Sequence, residues 1–189
     1  MMRIVSGEYG GIRLSPVKSD KTRPTTDKVK ESLFSMTGPY FNGGVFLDLF
    51  AGSGAVGIEA VSRGMSKAVL VDRQFQAIKA IKENIDKIHA QDQFEVIKGS
   101  ADAVLKQLAD RQMTFDMVFL DPPYKKQRII DTLSLLTELK LLSDQAVVIC
   151  ETDNQTDLPT EDGRFKAIKR KNYGLTNLVI YNYQMENMQ

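Results

Sequence analysis

Short apolar runs alternate along the chain with longer stretches in which apolar residues recur every three or four positions. Such runs predict buried strands, and such stretches predict amphipathic helices. The apolar runs cover residues 45–48, 68–72, 94–97, 115–120 and 146–150. Helical periodicity follows the first four of them, at residues 55–63, 75–88, 104–108 and 129–142. This alternation predicts an α/β fold, doubly wound around a mostly parallel sheet.

The two ends of the chain carry patterns of a different kind. Residues 165–171 and 175–183 alternate around a turn at 172–174, which predicts an antiparallel pair and brings the sheet to seven strands. Residues 3–14 predict a β-hairpin, and Thr26 or Asp27 can cap a helix that follows it. We therefore expect an N-terminal hairpin and helix extension in residues 1–40 and the main domain in residues 41–189.

One predicted helix, at residues 75–88, has an especially regular apolar stripe. We expect the residues of this stripe to be core, namely Phe75, Ile78, Ile81, Ile85 and Ile88. His89 follows the stripe and is expected to end the helix rather than to act as a catalyst.

Composition narrows the class of protein. The chain has 189 residues, of which 42% are hydrophobic, so it can fill one main domain. Its single cysteine cannot form an internal disulfide. One cysteine and one histidine are also too few to form a zinc cluster. We therefore expect a protein without a resident metal. We also expect it to be soluble and cytoplasmic, because neither a secretion signal nor an apolar run of membrane-spanning length is recognisable.

Charge is nearly balanced in sum but uneven in distribution. The formal net charge is +1, while cations gather in residues 1–45 and again in residues 164–171. Acidic residues just before the second cluster can offset it, so the first cluster is the better candidate for phosphate contacts. The candidate RNA contacts are Arg3, Lys21, Arg23, Thr25 and Lys28.

The stretch from Val45 to Gly57 joins an apolar run, the carboxylate of Asp48 and a glycine-rich turn. Its glycines fit the G-x-G-x-x-G pattern, and Asp72 stands at the acidic position expected about 20 residues on. A nicotinamide dinucleotide, S-adenosylmethionine and a plain structural turn all fit these features. Asp48 favours S-adenosylmethionine, because a carboxylate beside the turn would repel a pyrophosphate and attract an ammonium group.

The tetrapeptide DPPY at residues 121–124 directly follows the run at 115–120. Consecutive prolines hold the backbone extended and lack amide donors, which leaves carbonyl oxygens free to accept hydrogen bonds. The Asp121 carboxylate and a proline carbonyl then form a paired acceptor for an amino group on a flat ring, and Tyr124 offers a face for stacking. A turn made rigid by prolines is the alternative. A binding site is favoured over a rigid turn, because other predicted strands also end in or are followed by acidic residues, namely Asp48, Asp72 and Asp102.

Four segments, DLFAGSGAVG, VD, GSAD and DPPY, occur in the order seen in class I S-adenosylmethionine-dependent methyltransferases that act on exocyclic amino groups. Two further segments, RIVSGEYGGIRL and RPTTDKVKESLF, resemble the RsmD family of bacterial 16S ribosomal RNA guanine-N2 methyltransferases. This resemblance extends over essentially the whole chain. It implies a Rossmann-like class I methyltransferase fold and methyl transfer to N2 of guanine 966 in 16S ribosomal RNA during small-subunit maturation.

The resemblance also implies roles for individual residues. Those that would hold the cofactor S-adenosylmethionine are Asp48, Ala51, Gly52, Ser53, Gly54, Asp72, Arg73, Ser100, Ala101 and Asp102. Those that would hold the guanine are Asp121, Pro122 and Tyr124.

The expected partner is 16S ribosomal RNA within a small-subunit assembly intermediate, bound by a monomer. Only about 40 N-terminal residues remain outside the catalytic domain, which is little for reading a DNA sequence in a groove. A DNA or protein amino-methyltransferase, an NAD-dependent oxidoreductase and a non-catalytic RNA-binding module remain as alternatives.

Overall fold

The computed structural model describes residues 2–18, 25–123 and 125–185, apart from the side chains of residues 125 and 126. The chain divides into two compact units, Met1–Ala101 and Asp102–Gln189. The first unit contains α1 (Asp27–Thr37), β1 (Val45–Asp48), α2 (Ala55–Ser62), β2 (Lys67–Asp72), α3 (Phe75–Ile88), a 3-10 helix (Gln91–Gln93) and β3 (Phe94–Lys98). Helix α4 (Ala101–Asp110) starts with the last residue of the first unit and otherwise belongs to the second. The second unit continues with β4 (Phe115–Leu120), α5 (Lys125–Glu138), β5 (Leu142–Asp153), β6 (Glu161–Asp162), β7 (Phe165–Tyr173) and β8 (Thr176–Tyr183).

In the first unit, β2 pairs in parallel with both β1 and β3. Three of the four residues of β1 and four of the six residues of β2 are buried, as expected of parallel strands covered on both faces. In this register Asp48 lies opposite Leu70, and Asp72 lies opposite Lys98. Asp48 and Asp72 therefore stand at the carboxyl ends of neighbouring strands, where ligands of open α/β sheets bind.

Helix α3 keeps most of its predicted stripe in the core. Ile78, Ile81, Ile85 and Ile88 are at most 8% exposed. The prediction that Phe75 is core was wrong, since this side chain is 64% exposed. Phe75 is the first residue of the helix, and its ring lies beside the ammonium group of Lys98 rather than inside the stripe. His89 ends the helix as predicted, as a C-cap with φ 53°.

The N-terminal segment folds back on itself, with Arg3 opposite Arg13 in antiparallel pairing and with backbone hydrogen bonds from the Ile4 and Leu14 amides to the Ile12 and Met2 carbonyls. This pairing is shorter than the predicted hairpin. The physical reason is that its backbone amides donate to α2. The amides of Val5 and Ser6 bind the Glu59 carboxylate at 2.7 and 3.0 Å. Two more amides, from residues 8 and 9, bind the carbonyl and hydroxyl oxygens of Ser62.

Glu59 of α2 is the centre of a buried cluster of charges. Its carboxylate lies 2.9 Å from Nε of Arg63 and 3.4 Å from Nζ of Lys30, which belongs to α1. Lys30 also donates to the carbonyl of Arg3. Arg63 lies over the ring of Phe34, with 5.0 Å to the ring centroid. Glu59 and Lys30 are 0% exposed, so the charges compensate one another away from water.

The second unit joins parallel and antiparallel strands. β4 pairs in parallel with β5, and β5, β8, β7 and β6 follow one another in antiparallel pairing. The predicted hairpin at residues 172–174 is present between β7 and β8. The described residues form eight strands where seven were predicted, because Glu161–Asp162 pairs with the start of β7. The last helix was predicted to reach residue 142, but α5 ends at Glu138, and Leu142 is already the first residue of β5.

Within the described residues, no helix is long and apolar enough to cross a membrane. The same part of the chain contains no cluster of three or more His, Cys, Asp or Glu residues that could hold a metal ion.

Two glycines of the N-terminal segment allow its packing on α2 to be tested. Gly7 and Gly11 have nearly equal positive φ, 91° and 89°, but a Cβ on Gly7 would lie 1.9 Å from the Ser62 carbonyl while one on Gly11 would meet nothing within 4 Å. Gly11→Ala should cost about 1–2 kcal/mol through its backbone conformation alone. Gly7→Ala should cost about 1–3 kcal/mol more, because the clash is added. Urea unfolding measures both, and equal losses would contradict this packing.

Candidate functional site

The turn after β1 is held in place by its own backbone. Asp48 is 1% exposed, and its Oδ1 accepts a hydrogen bond of 3.1 Å from the amide of Phe50. The amide of Ala51 donates to the Val71 carbonyl at 2.9 Å, which ties the turn to β2. The Gly54 amide donates back to the Ala51 carbonyl at 2.8 Å and closes the turn at the start of α2.

Two glycines of this turn have different surroundings. Gly52 has φ 56°, and a Cβ built on it would find nothing within 4 Å, so this stretch of backbone faces open space. Gly54 has φ 81°, and a Cβ there would approach Ile81 and Leu70 to 3.3 Å. Gly52 thus leaves room for a ligand to come close to the main chain, whereas Gly54 fits the turn against the core.

The carboxylate of Asp72 connects two loops at the end of β2. Its Oδ2 accepts from the amide of Gly52 at 3.0 Å, and its Oδ1 accepts from the amide of Gln74 at 2.9 Å. The main-chain carbonyl of Asp72 accepts from the amide of Gly99 at 3.1 Å, just before Ser100. An ionised carboxylate has about four acceptor positions, so these two amides leave capacity for a ligand hydroxyl.

The remaining predicted cofactor residues of this unit differ in exposure. Ser53 is buried, with its hydroxyl 3.5 Å from the sulfur of Met2, and its carbonyl accepts from Asn84 at 3.0 Å. Ala51 and Ala101 are buried too, while Arg73 and Ser100 are exposed. The first unit therefore brings together the turn, Asp72 and the loop before α4. Within the turn, the Ser53 side chain packs inward.

Asp102, in the first turn of α4, has a partner that the sequence did not reveal. Arg128 of α5 binds its carboxylate with two hydrogen bonds of 3.0 and 2.8 Å. Such a bidentate pair fixes the plane of the carboxylate. Arg128 belongs to no motif recognised in the sequence, which is why sequence reasoning missed it.

The predicted acceptor motif begins where β4 ends. Asp121 is half-buried, Pro122 is buried and Pro123 is exposed, and all three lie between β4 and α5. Tyr124, the last residue of the motif, lies outside the described residues. The position of Asp121 after a buried parallel strand agrees with the sequence pattern, and its role stays a prediction.

Among the predicted RNA contacts, Lys21 and Arg23 lie outside the described residues. Arg3 and Lys28 are exposed, and Thr25 is half-buried just before α1. Arg3 donates its amide to Asp27 at 3.3 Å. The cap of α1 is Thr26, whose hydroxyl accepts from the amide of Val29.

The single cysteine is not a candidate nucleophile. Cys150 is buried in β5, and burial raises the pKa of its thiol far above the ordinary value. The thiol therefore stays protonated near neutral pH, and a protonated thiol is a weak nucleophile.

The fold is that of class I methyltransferases, an α/β fold with a mostly parallel sheet. The solved structure of yhhF from Escherichia coli superposes with a TM-score of 0.86 at 29% identity, covering 98% of this chain and 99% of that one. The predicted fold class is thereby confirmed.

The chain belongs to the family described as Conserved hypothetical protein 95, whose model matches residues 2–182. YlbH of Bacillus subtilis is 43% identical over 95% of this chain and 98% of its own length. Ribosomal RNA small subunit methyltransferase D of Haemophilus influenzae is 35% identical over 95% of this chain and 93% of its own. These matches confirm the predicted relationship to the RsmD family.

The double role of Asp72 leads to a prediction about local stability. Asp72→Ala removes the acceptor of the Gly52 and Gln74 amides, and a hydrogen bond to a charged group contributes about 1.5–3 kcal/mol. Both amides should then exchange with deuterium about tenfold faster or more. Asp92→Ala, at an exposed position of the 3-10 helix, is the matched control. Unchanged exchange at Gly52 would show that Asp72 does not hold the turn.

Proposed function

We propose that the protein transfers a methyl group from S-adenosylmethionine to the exocyclic N2 of a guanine in 16S ribosomal RNA, guanine 966, during small-subunit maturation. The observation that carries the proposal is the pair of strand-end carboxylates, Asp48 and Asp72, around the open backbone of Gly52. Membership of a family that includes ribosomal RNA small subunit methyltransferases supports the same activity.

The turn suits a cationic ligand better than a phosphate. A dinucleotide site aims backbone amides at the pyrophosphate. Here the amides of Ala51, Gly52 and Gly54 donate to Val71, Asp72 and Ala51 respectively. Amides used in this way are not available to a phosphate, and the nearby carboxylates would repel one. This arrangement favours S-adenosylmethionine over a nicotinamide dinucleotide.

Each part of the cofactor has a candidate partner. Asp48 and the turn would hold the methionine part, and Asp72 would accept from the ribose hydroxyls, with Arg73 beside it. The loop at residues 100–102 would meet the adenine edge. Asp102 would make that contact while also bound to Arg128, through acceptor positions that the ion pair leaves.

The acceptor motif would orient the guanine. When bound, S-adenosylmethionine supplies an electrophilic methyl group on a sulfonium. Asp121 and the Pro122 carbonyl would each accept one N–H of the amino group, and Tyr124 would stack on the ring. On transfer, the nitrogen lone pair would form the new C–N bond while the C–S bond breaks with its electrons going to sulfur, and Asp121 or water would accept the proton that the nitrogen loses.

The proposed substrate is RNA within a small-subunit assembly intermediate, which a monomer in the cytoplasm would bind. Residues 1–40 would dock on the RNA through Arg3, Thr25 and Lys28, together with Lys21 and Arg23 outside the described residues. The exposure of Arg3 and Lys28 supports this role, because cations that meet phosphates must be reachable.

Labelled cofactor, incubated with 16S ribosomal RNA and with small subunits, tests the proposal. Nucleoside analysis should find the label in N2-methylguanosine. Label in adenine, cytosine or glutamine of matched DNA or protein substrates would instead indicate another amino-methyltransferase. Binding of NADH without S-adenosylmethionine would indicate an oxidoreductase, and RNA binding without transfer would indicate a binding module.

Asp121→Ala separates orientation of the guanine from the other functions. The variant should lose methyl transfer by about a hundredfold or more, because the reacting group is no longer positioned. Affinities for S-adenosylmethionine and RNA should stay near those of the wild type. Asp110→Ala, at an exposed position of α4, is the matched control. Unchanged turnover in Asp121→Ala would contradict the proposed acceptor role.

A further inference from the structure

The outer face of α3 combines an aromatic ring with cations. Phe75 is 64% exposed, and Lys79 and Lys82 are exposed as well. The spacing of these residues, four and then three positions, puts them on one face of the helix. Asp86 follows on this face and accepts a hydrogen bond of 3.0 Å from Gln91.

Lys98 extends this face beyond the helix. It is the last residue of β3, and its Nζ lies 5.8 Å from the centroid of the Phe75 ring. Such a cation over a ring is a favourable contact that leaves the opposite face of the ring for another partner. We call this patch the α3 surface; it consists of Phe75, Lys79, Lys82 and Lys98.

The α3 surface has a fixed place next to the candidate cofactor site. The Gln74 amide, directly before Phe75, donates to Asp72 at 2.9 Å. Lys98 lies opposite Asp72 in the β2–β3 register. Both anchors belong to the first unit, so the ring and its neighbouring ammonium group stand at the rim of that site.

We propose that the α3 surface binds single-stranded RNA of the substrate, with an unpaired base stacked on Phe75 and phosphates at the three lysines. This inference rests on the proposed function and adds a second contact region to the N-terminal one. Aromatic rings beside cations are how proteins hold single strands without reading their sequence. A duplex would not offer a base to Phe75, because its bases are stacked inside.

Substitutions of Phe75 test the stacking. Phe75→Ala should weaken binding of a single-stranded 16S ribosomal RNA fragment about fivefold or more, because the stacked base loses its platform. Phe75→Tyr should restore binding, since it keeps an aromatic face. Calorimetry with S-adenosylmethionine should give the same affinity for the wild type and both variants. The proposal would be overturned if Phe75→Ala bound RNA as tightly as the wild type. It would also be overturned if the variant lost its affinity for S-adenosylmethionine while keeping its affinity for RNA.

Substitutions of the lysines test the phosphate contacts. The triple variant Lys79→Ala, Lys82→Ala and Lys98→Ala should bind RNA with a weaker salt dependence. The magnitude of the slope of log affinity against log salt concentration should fall by roughly 2, at about 0.7 for each phosphate that is no longer neutralised. Lys106→Ala, which replaces an exposed lysine on α4, should leave the slope unchanged. A triple variant with the wild-type slope would overturn the proposal.

The same experiments separate this inference from the proposed function. Wild-type protein that neither binds nor methylates the RNA would overturn both. An active wild type whose Phe75 and lysine variants bind RNA with unchanged affinity and salt dependence would overturn this inference alone.

Discussion

The buried carboxylate of Glu59 holds the first unit together. It accepts from two amides of the N-terminal segment and pairs with Lys30 of α1 and Arg63, which directly follows α2. Removing one partner of a buried ion pair costs about 3–5 kcal/mol, because the other charges stay buried without compensation. Since Gly54 is the N-cap of α2, the same helix that binds the N-terminal segment also begins at the end of the glycine-rich turn after β1.

Much of the fold could be predicted from the sequence, because parallel strands buried on both faces read as continuous apolar runs. The exceptions are local. The N-terminal hairpin is shorter than predicted, because the amides of Val5 and Ser6 bind Glu59 of α2, a contact between residues more than 50 positions apart. Phe75 fits the apolar stripe of α3 by spacing, yet it is exposed, because periodicity does not show where a helix begins relative to its neighbours. The two-residue strand Glu161–Asp162 is too short to leave a pattern.

The candidate site was predictable where a motif carries the chemistry and not where a partner comes from elsewhere in the chain. Asp48 and Asp72 stand at strand ends as their sequence positions indicate. The bond from the Gly52 amide to Asp72 could not be foreseen, although it bears directly on the choice of cofactor. The pair of Asp102 with Arg128 was missed for the same reason, since an ion pair between two helices leaves no local signal.

Mass spectrometry of nucleosides from 16S ribosomal RNA tests the central claim most directly, in a strain that lacks this protein and in the same strain with the protein restored. The strain without the protein should lose one N2-methylguanosine, and wild-type protein should restore it. The same N2-methylguanosine content with and without the protein would show that this protein does not methylate guanine N2 in 16S ribosomal RNA.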